Sequence, residues 1–246
     1  MTNEEKTKQW LVELGKGIEI GAWLNPLPNI EPIYVDLFEE FAGQKCNVDI
    51  LSEPTDLPFE NGQLDYVASS HVIEHIANPI RALVEWTRIT RHNGILYLVI
   101  PDRKFTWERN RPVVQADHLL DDYNRKTTQS DGTHIDEFLD TLVWEEFSPD
   151  DSSEAAREAF RERLHHAIEH DLDINIHFHA FESDTFSDIV DVVNRVLPEG
   201  ERLELVDHSA RFPRECPNGF LAVLQVHRPE KIDRWRKLLD RFRFWT

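Results

Sequence analysis

Two acidic residues lie in short β-like runs near the start of the chain, and their types suit a nucleotide-like ligand. The run GIEIG (17–21) carries Glu19 and ends at Gly21, where a small residue lets a ligand approach the backbone closely. The run PIYVD (32–36) ends at Asp36, whose ionised carboxylate can accept hydrogen bonds from both hydroxyls of a ribose. Their separation is typical of nucleotide-binding βαβ units, although acidic residues are common at strand ends.

Histidines are the side chains best suited to proton transfer near pH 7, and several lie in polar segments of this chain. The candidates for a base or a substrate contact are His75, His118, His134 and His179. Acidic neighbours of His118 in the run ADHLLDD, including Asp122, could orient a base or bind a polyol.

The run 174–180 is ambiguous between strand and loop, and it holds two histidines. As a strand it would place His177 and His179 on the same face. A structural hydrogen-bonding role is favoured for both, with substrate contact and metal binding as alternatives. No tight cluster of residues with metal-ligand spacing is present along the chain, so the sequence predicts no metal site.

A longer passage, from Thr55 to Asp102, combines several motifs in a fixed order. It runs from TDLPF through a strand-like LDYVASS to the turn HVIEH (71–75), then to a helix after Asn78-Pro79 and the apolar run GILYLVI (94–100). In order and spacing it resembles the class I S-adenosylmethionine-dependent methyltransferases of the type 11 kind. The resemblance extends back to Gly17 and includes the last two predicted strands.

This resemblance implies an α/β, Rossmann-like class I methyltransferase fold. Such a fold has a mostly parallel seven-stranded sheet with helices on both faces, here with a helical insertion after the fifth strand. It also implies S-adenosyl-L-methionine as the cofactor. Gly21 and Ala22 would lie near its methionine part, Asp36 at its ribose, and Ser70 at its sulfonium. The full implied cofactor-binding set is Glu19, Gly21, Ala22, Asn25, Asp36, Leu37, Asp56, Leu57, Ser70 and His71.

The chain departs from the family pattern directly after the first strand. Only one glycine, Gly21, remains of the usual glycine-rich loop, and Trp23 and Asn25 stand where glycines are more typical. The second predicted strand then follows closely. The sequence therefore predicts that the usual first helix is missing or reduced to a turn.

The elements that must position these residues alternate between β-like and helical runs, as in a parallel sheet covered by helices. The predicted strands are 17–21, 32–36, 47–50, 64–70, 94–100, 202–207 and 219–226. One helix begins at Asn78-Pro79 and is ended by Asn93-Gly94, and a second begins near Ser183 and ends before Pro198. We expect a single domain over 1–246. The polar segment 102–175, with a charged helix over 152–171, is expected as a substrate-side insertion.

The charge balance excludes some partners. With 27 basic and 46 acidic residues the net charge is −19, which disfavours nucleic acid. The segment 229–246 is an exception, because a predicted amphipathic helix there (232–242) carries mostly basic charge; it packs on the domain or contacts an acidic partner or membrane surface. No signal peptide or membrane-spanning run is present, and the two cysteines lack disulfide or metal spacing, so a cytoplasmic location is expected.

The functional expectation is methyl transfer from S-adenosylmethionine to a hydroxyl of a sugar or polysaccharide. This acceptor is implied by resemblance, since the segments GIEIGA…NPL and IHFHAF are similar to those of methyltransferases associated with glycan assembly. Two alternatives remain. One is O- or N-methylation of a small natural product. The other is a non-catalytic subunit that keeps the fold and binds a partner.

Overall fold

The computed structural model describes residues 1–41 and 43–229. Its strands are β1 (Gly17–Ile20), β2 (Ile33–Asp36), β3 (Glu40–Phe41), β4 (Gln44–Lys45), β5 (Ile50–Leu51), β6 (Leu64–Ser70), β7 (Thr90–Pro101), β8 (Arg202–Phe212) and β9 (Gly219–His227). Its helices are α1 (Asn3–Trp10), α2 (Pro79–Ile89), α3 (Ala116–Arg125), α4 (Ile135–Thr141), α5 (Trp144–Phe147), α6 (Glu154–Glu169) and α7 (Phe186–Val196). Among the described residues, no helix is both long and apolar enough to cross a membrane.

Seven strands form one sheet in the order β5-β2-β1-β6-β7-β9-β8. The first five of these run parallel, and β9 pairs antiparallel with both β7 and β8. The predicted mostly parallel seven-stranded sheet is confirmed. From β1 the chain moves outward to β2 and β5, then returns to β6 on the other side of β1. Such a reversal opens a crevice at the carboxyl ends of the central strands, where open α/β sheets bind ligands.

Both faces of the sheet are buried. Alternate residues of each strand point to opposite faces, so each face packs into its own core. Along β7, Leu96 and Leu98 pack into one hydrophobic core with α2 and α7. Tyr97 and Val99 pack into a second core that includes Leu11, the residue directly after α1. The central apolar run of β7 is therefore covered on both sides, as the sequence predicts.

Helix α2 begins as predicted but ends earlier. Asn78 accepts a hydrogen bond from the backbone N–H of Arg81 at 3.0 Å, and Pro79 occupies the first helical position. The helix ends at Ile89, not at Asn93-Gly94, because Thr90 already pairs with Leu64 of β6. The predicted stop signal instead lies within β7, where Asn93 has a φ of 60°.

The connections that follow β1 and β2 agree only in part with the sequence expectation. No helix forms between β1 and β2, as predicted. The predicted strand 47–50 is corrected to β5, which begins at Ile50. Asn47 does not join the sheet, because its backbone N–H and its side-chain amide both donate to the carbonyl of Trp23, at 3.0 and 2.7 Å.

Helices α3 to α6 lie between β7 and α7, where the sequence predicts an insertion. Helices α4 to α6 bury a third hydrophobic core that includes Ile135, Phe138, Trp144 and Phe178, whereas Leu119 of α3 packs into the first core. The charged helix is α6, which begins after Ser153, whose side chain accepts a hydrogen bond from the Ala156 N–H at 3.1 Å. The predicted helix 232–242 lies outside the described residues.

The ambiguous run 174–180 is not a strand. A buried arginine holds it instead: the Arg111 guanidinium donates to the carbonyls of His177 and Phe178, at 2.8 and 3.2 Å. His177 and His179 then contact different acidic residues, so the shared face expected for a strand does not form.

Candidate active site at the carboxyl edge of the sheet

A cavity of about 950 Å³ lies at the carboxyl ends of β1, β2 and β6. This volume is at the upper end of the range of about 300–1,000 Å³ for ligand pockets, so it can hold a cofactor together with a small acceptor. One wall comes from the sheet edge. The opposite wall comes from the insertion and from the run after α6. The predicted site residues that line the cavity are Glu19, Gly21, Ala22, Asn25, Asp36, Leu37, Asp56, Ser70, His71 and His75.

Gly21 is required by its backbone and by its neighbour. Its φ of +69° lies in the left-handed region, and a Cβ there would come within 2.5 Å of Cγ2 of Val72. Its backbone N–H donates to the carbonyl of Val35 at 2.9 Å. Glycine at this position therefore lets the chain turn sharply after β1 and pass close to Val72, which follows β6.

Glu19 lies beneath this turn and is 1% exposed. Both of its carboxylate oxygens accept from the backbone N–H of Leu27, at 2.9 and 3.2 Å. Burial raises the pKa of Glu19 to about 7. This one side chain thus fixes the turn that replaces the missing helix.

Asp36 ends β2 at the cavity wall. Its Oδ1 accepts from the backbone N–H groups of Leu37 at 2.7 Å and Phe38 at 3.3 Å. Burial raises the pKa of this carboxyl above its usual value. Within the described residues Oδ2 has no hydrogen-bond donor, so it is available to a ligand hydroxyl.

The end of β6 carries a histidine in an uncommon backbone conformation. His71 has a φ of 56°, and its Nδ1 lies 3.6 Å from Oε1 of the fully buried Glu74. Although burial lowers it, the Glu74 carboxylate holds the pKa of His71 above its usual value. Positive φ is rare for non-glycine residues and concentrates at functional sites.

His75 lies in the same short turn and faces the same cavity. Its Nδ1 lies 2.7 Å from Oδ1 of Asn175. Burial and the nearby His177 imidazole hold the pKa of His75 below its usual value, so the ring is neutral at pH 7. Because the Asn175 oxygen can only accept, Nδ1 carries the proton and Nε2 keeps its lone pair.

The insertion, expected on the substrate side, supplies wall residues that the sequence did not single out. It contributes Thr127, Thr128 and Gln129, and the run after α6 adds Asp173 and Asn175. These residues stand in polar segments without a recognisable motif, so only the fold reveals them.

Gln129 ties this wall to the turn that carries His75. Its side chain accepts from the Ala77 N–H at 2.6 Å and donates to the His75 carbonyl at 2.8 Å. Its own carbonyl accepts from the Ile174 N–H at 2.9 Å. One residue therefore connects three segments of the cavity wall.

Four predicted site residues are placed away from the cavity lining. Leu57 is buried in the first core, and its backbone N–H donates to Oε1 of Glu85 at 2.8 Å. His118, His134 and His179 instead meet one another and Asp122; we call these four residues the histidine cluster. Of the four predicted base candidates, only His75 lines the cavity.

Two members of the histidine cluster, His179 and Asp122, have shifted pKa values. Burial and the neighbouring His134 and His118 hold the pKa of His179 well below its usual value. Although burial raises it, the hydrogen bond and charge of His134 hold the pKa of Asp122 below its usual value.

Comparison with known proteins agrees with this geometry. Residues 15–98, which carry β1 through most of β7, match a family model described as a methyltransferase domain. No curated protein matches the chain in sequence.

Solved structures share the fold at low sequence identity. One is a SAM-dependent methyltransferase from Thermotoga maritima, described as a possible histamine N-methyltransferase; it is 16% identical with a TM-score of 0.50, covering 92% of this chain and 88% of that one. Another is phosphoethanolamine N-methyltransferase 1 from Haemonchus contortus, with phosphoethanolamine and S-adenosylhomocysteine bound; it is 10% identical with a TM-score of 0.50, covering 94% of this chain and 43% of that one.

The sheet order and the likeness to solved structures show a class I methyltransferase fold, and residues 15–98 match the methyltransferase-domain model within it. The cofactor of this class is S-adenosylmethionine. The predicted fold class and cofactor are thereby confirmed.

Proposed function

We propose that this protein transfers the methyl group of S-adenosylmethionine to a hydroxyl of a sugar or polysaccharide. The observation that carries the proposal is the division of one cavity into two unlike walls. The sheet-edge wall offers to a nucleoside Gly21 and the Asp36 Oδ2, which has no hydrogen-bond donor among the residues that the structure describes. The insertion wall offers hydroxyl, amide and carboxylate groups, which suit a polyhydroxylated acceptor.

In this arrangement residues of the sheet edge would hold the cofactor. Asp36 would accept from the ribose hydroxyls, and Asp56 would lie on the adenine side. Gly21 would leave room for the methionine part, and Ser70 and His71 would lie near the sulfonium. S-adenosylmethionine supplies an activated methyl group, so the protein contributes mainly alignment of the acceptor oxygen with that methyl.

His75 is the proposed base. Its Nε2 takes the proton of the acceptor hydroxyl as the oxygen–carbon bond forms and the carbon–sulfur bond breaks, which releases S-adenosylhomocysteine. Asn175 fixes the tautomer that this step needs. A positioned base of this kind contributes about 10²–10⁴-fold to a rate.

A small-molecule amine is the second candidate acceptor. Asp173 and Glu53 both line the cavity, and carboxylates there favour a cationic group. Burial and the charge of Asp173 raise the pKa of Glu53 above its usual value, so the two carboxylates lie close enough to repel each other. A bound cation would relieve that repulsion.

The first test is calorimetric titration with S-adenosylmethionine and with S-adenosylhomocysteine. We expect Asp36→Ala to weaken binding by about 10- to 100-fold, since each hydrogen bond to a charged group contributes about 1.5–3 kcal/mol. The control is Asp191→Ala on the exposed face of α7, which should bind as the unaltered protein does. Absence of binding by the unaltered protein would favour the non-catalytic subunit instead. Equal affinity in both variants would contradict the assignment of Asp36.

The second test measures transfer of labelled methyl to panels of sugars and of amines. For a sugar acceptor we expect His75→Ala to lower kcat by about 10²-fold or more with little change in KM. The rate should rise with pH as His75 loses its proton, and the midpoint of that rise should lie below the usual pKa of a histidine, because burial and the His177 imidazole lower the pKa of His75. The control His170→Ala alters an exposed histidine at the end of α6. Turnover of amines alone would replace the sugar proposal by the second candidate.

A further inference from the structure

The histidine cluster lies outside the cavity lining and has a geometry of its own. The three Nε2 atoms of its histidines surround Oδ2 of Asp122, at 3.3 Å from His118, 3.6 Å from His134 and 3.0 Å from His179. The Nε2 atoms of His118 and His134 are 3.1 Å apart. All four ligand-type atoms lie within 4.8 Å of one another.

These separations match those of donor atoms around one metal ion. Four donors in a tetrahedron around Zn²⁺, each at about 2.0–2.1 Å, lie about 3.4 Å from one another. The four distances measured here fall on either side of that value. The donors come from α3, from the turn before α4 and from the run 174–180, so segments distant in sequence converge on one point.

Hydrogen bonds alone satisfy this arrangement poorly. If His118 and His134 share a hydrogen bond, only one of the two facing Nε2 atoms carries a proton. Oδ2 of Asp122 would still face three nitrogen atoms, although a carboxylate oxygen offers two lone pairs. The Nδ1 of His179 has no partner among the described residues, so that ring is held through Nε2. A single cation at the centre would instead engage all four atoms at once.

We infer that the histidine cluster is a binding site for one divalent transition-metal ion, with Zn²⁺ the ion whose geometry it fits. Three imidazoles and one carboxylate form a donor set that suits zinc and other first-row metals, whereas Mg²⁺ and Ca²⁺ prefer oxygen ligands. With four protein donors the coordination is closed, which is typical of structural rather than catalytic zinc sites.

The surroundings of the cluster support the same conclusion. Asp122 is oriented by the Thr127 hydroxyl, which donates to its Oδ1 at 3.0 Å, and Nδ1 of His134 lies 3.1 Å from the Thr133 hydroxyl. Such outer contacts orient metal ligands. Asp122, His134 and His179 are buried, while the side chain of His118 is 49% exposed and leaves an entry path.

A metal bound here would fasten the insertion wall of the cavity. Thr127 contacts Asp122 and also lines the cavity, and Asp173 and Asn175 shortly precede His179 in the chain. The ion would therefore position the wall that faces the acceptor without touching the acceptor itself. This inference does not depend on which acceptor is methylated. It also revises the expectation of no metal site, which rested on sequence spacing alone.

The test is to bind Zn²⁺ to tag-free protein that has been treated with a chelator and dialysed. We expect one Zn²⁺ per chain by calorimetry and elemental analysis, and a rise in Tm on adding Zn²⁺. X-ray absorption should show nitrogen and oxygen neighbours at about 2.0–2.1 Å and no sulfur. Absence of stoichiometric Zn²⁺ binding, or a sulfur neighbour, would overturn the inference.

Variants locate the ion. Removal of an outer contact costs about 10–100-fold in metal affinity. His118 and His179 would bind the ion directly, so we expect His118→Ala and His179→Ala each to lower the Zn²⁺ affinity by more than that. His118 is half exposed, so His118→Ala decides the matter even if His179→Ala fails to fold. His165→Ala, an exposed histidine of α6, is the matched control and should keep full affinity. Retention of Zn²⁺ affinity in His118→Ala would place the ion elsewhere.

Discussion

The two walls of the cavity are built in different ways. The sheet-edge wall consists of residues that end parallel strands, and the pairing of β1 with β2 and β6 brings those ends to one edge. The insertion wall consists of loop residues held by side-chain contacts, such as those of Gln129. Regular backbone pairing therefore positions the first wall, and individual polar contacts position the second.

This difference predicts where substitutions act. Changes at the sheet edge disturb the backbone on which the sheet depends, so they should affect stability and cofactor binding together. Changes in the insertion wall remove a few hydrogen bonds, so they should mainly affect the acceptor side. The following variants test that division, from the largest expected effect to the smallest.

Gly21→Ala should be the most damaging single change at the sheet edge. A φ in the left-handed region costs an alanine about 1–2 kcal/mol, and the contact with Val72 adds overpacking of about 1–3 kcal/mol. We therefore expect the free energy of unfolding to fall by about 4 kcal/mol in denaturant titrations.

Gly43→Ala is the matched control for this prediction, since Gly43 has a φ of +74° and an added Cβ would meet no atom of the other described residues within 4 Å. This variant should lower the free energy of unfolding only by the cost of the left-handed backbone conformation, about 1–2 kcal/mol. The double variant Gly21→Ala/Val72→Ala should recover part of the loss. Equal losses in the two glycine variants would mean that the Val72 contact is unimportant.

Because of the raised pKa of Glu19, the free energy of unfolding should fall as pH rises. Its folded pKa of about 7 lies above the unfolded value of 4.5, so its contribution is fully present below pH 4.5 and is lost as pH rises through 7. Glu19→Gln keeps an acceptor for the Leu27 N–H but does not titrate. In the absence of cofactor, the advantage of the variant over the unaltered protein should grow by about 2–3 kcal/mol between pH 5 and pH 8. Parallel unfolding curves at all pH values would contradict the raised pKa.

The same division explains how much of the molecule could be predicted from its sequence. Strands such as β6 and β7 were predicted from their β-type runs, and the run 94–100 of β7 is apolar and continuous. The cavity residues at their ends followed, since residues that end neighbouring parallel strands must meet. Leu57 is the exception, because its side chain packs into the core while its neighbour Asp56 faces the cavity.

The rest depends on contacts between segments far apart in sequence. His118 and His179 are separated by most of the insertion, and no local pattern indicates that both approach Asp122. Asn175 could not be assigned to His75 for the same reason. Local patterns likewise misplaced the end of α2, because strand pairing at Thr90 outweighed a good stop signal three residues later.

Gln129→Ala is the smallest of the three changes and the sharpest test of the division. It removes two side-chain hydrogen bonds, one accepted from the Ala77 N–H and one donated to the His75 carbonyl, and should lower the free energy of unfolding by about 1–2 kcal/mol. Its main effect should be a raised KM for the acceptor, because Thr128 and the turn of His75 lose their common anchor. Calorimetric affinity for S-adenosylhomocysteine should stay within about twofold, since the hydrogen bonds of that side chain go to Ala77 and His75 and not to a residue that ends a strand; a parallel loss of cofactor affinity would show that the two walls act as one unit.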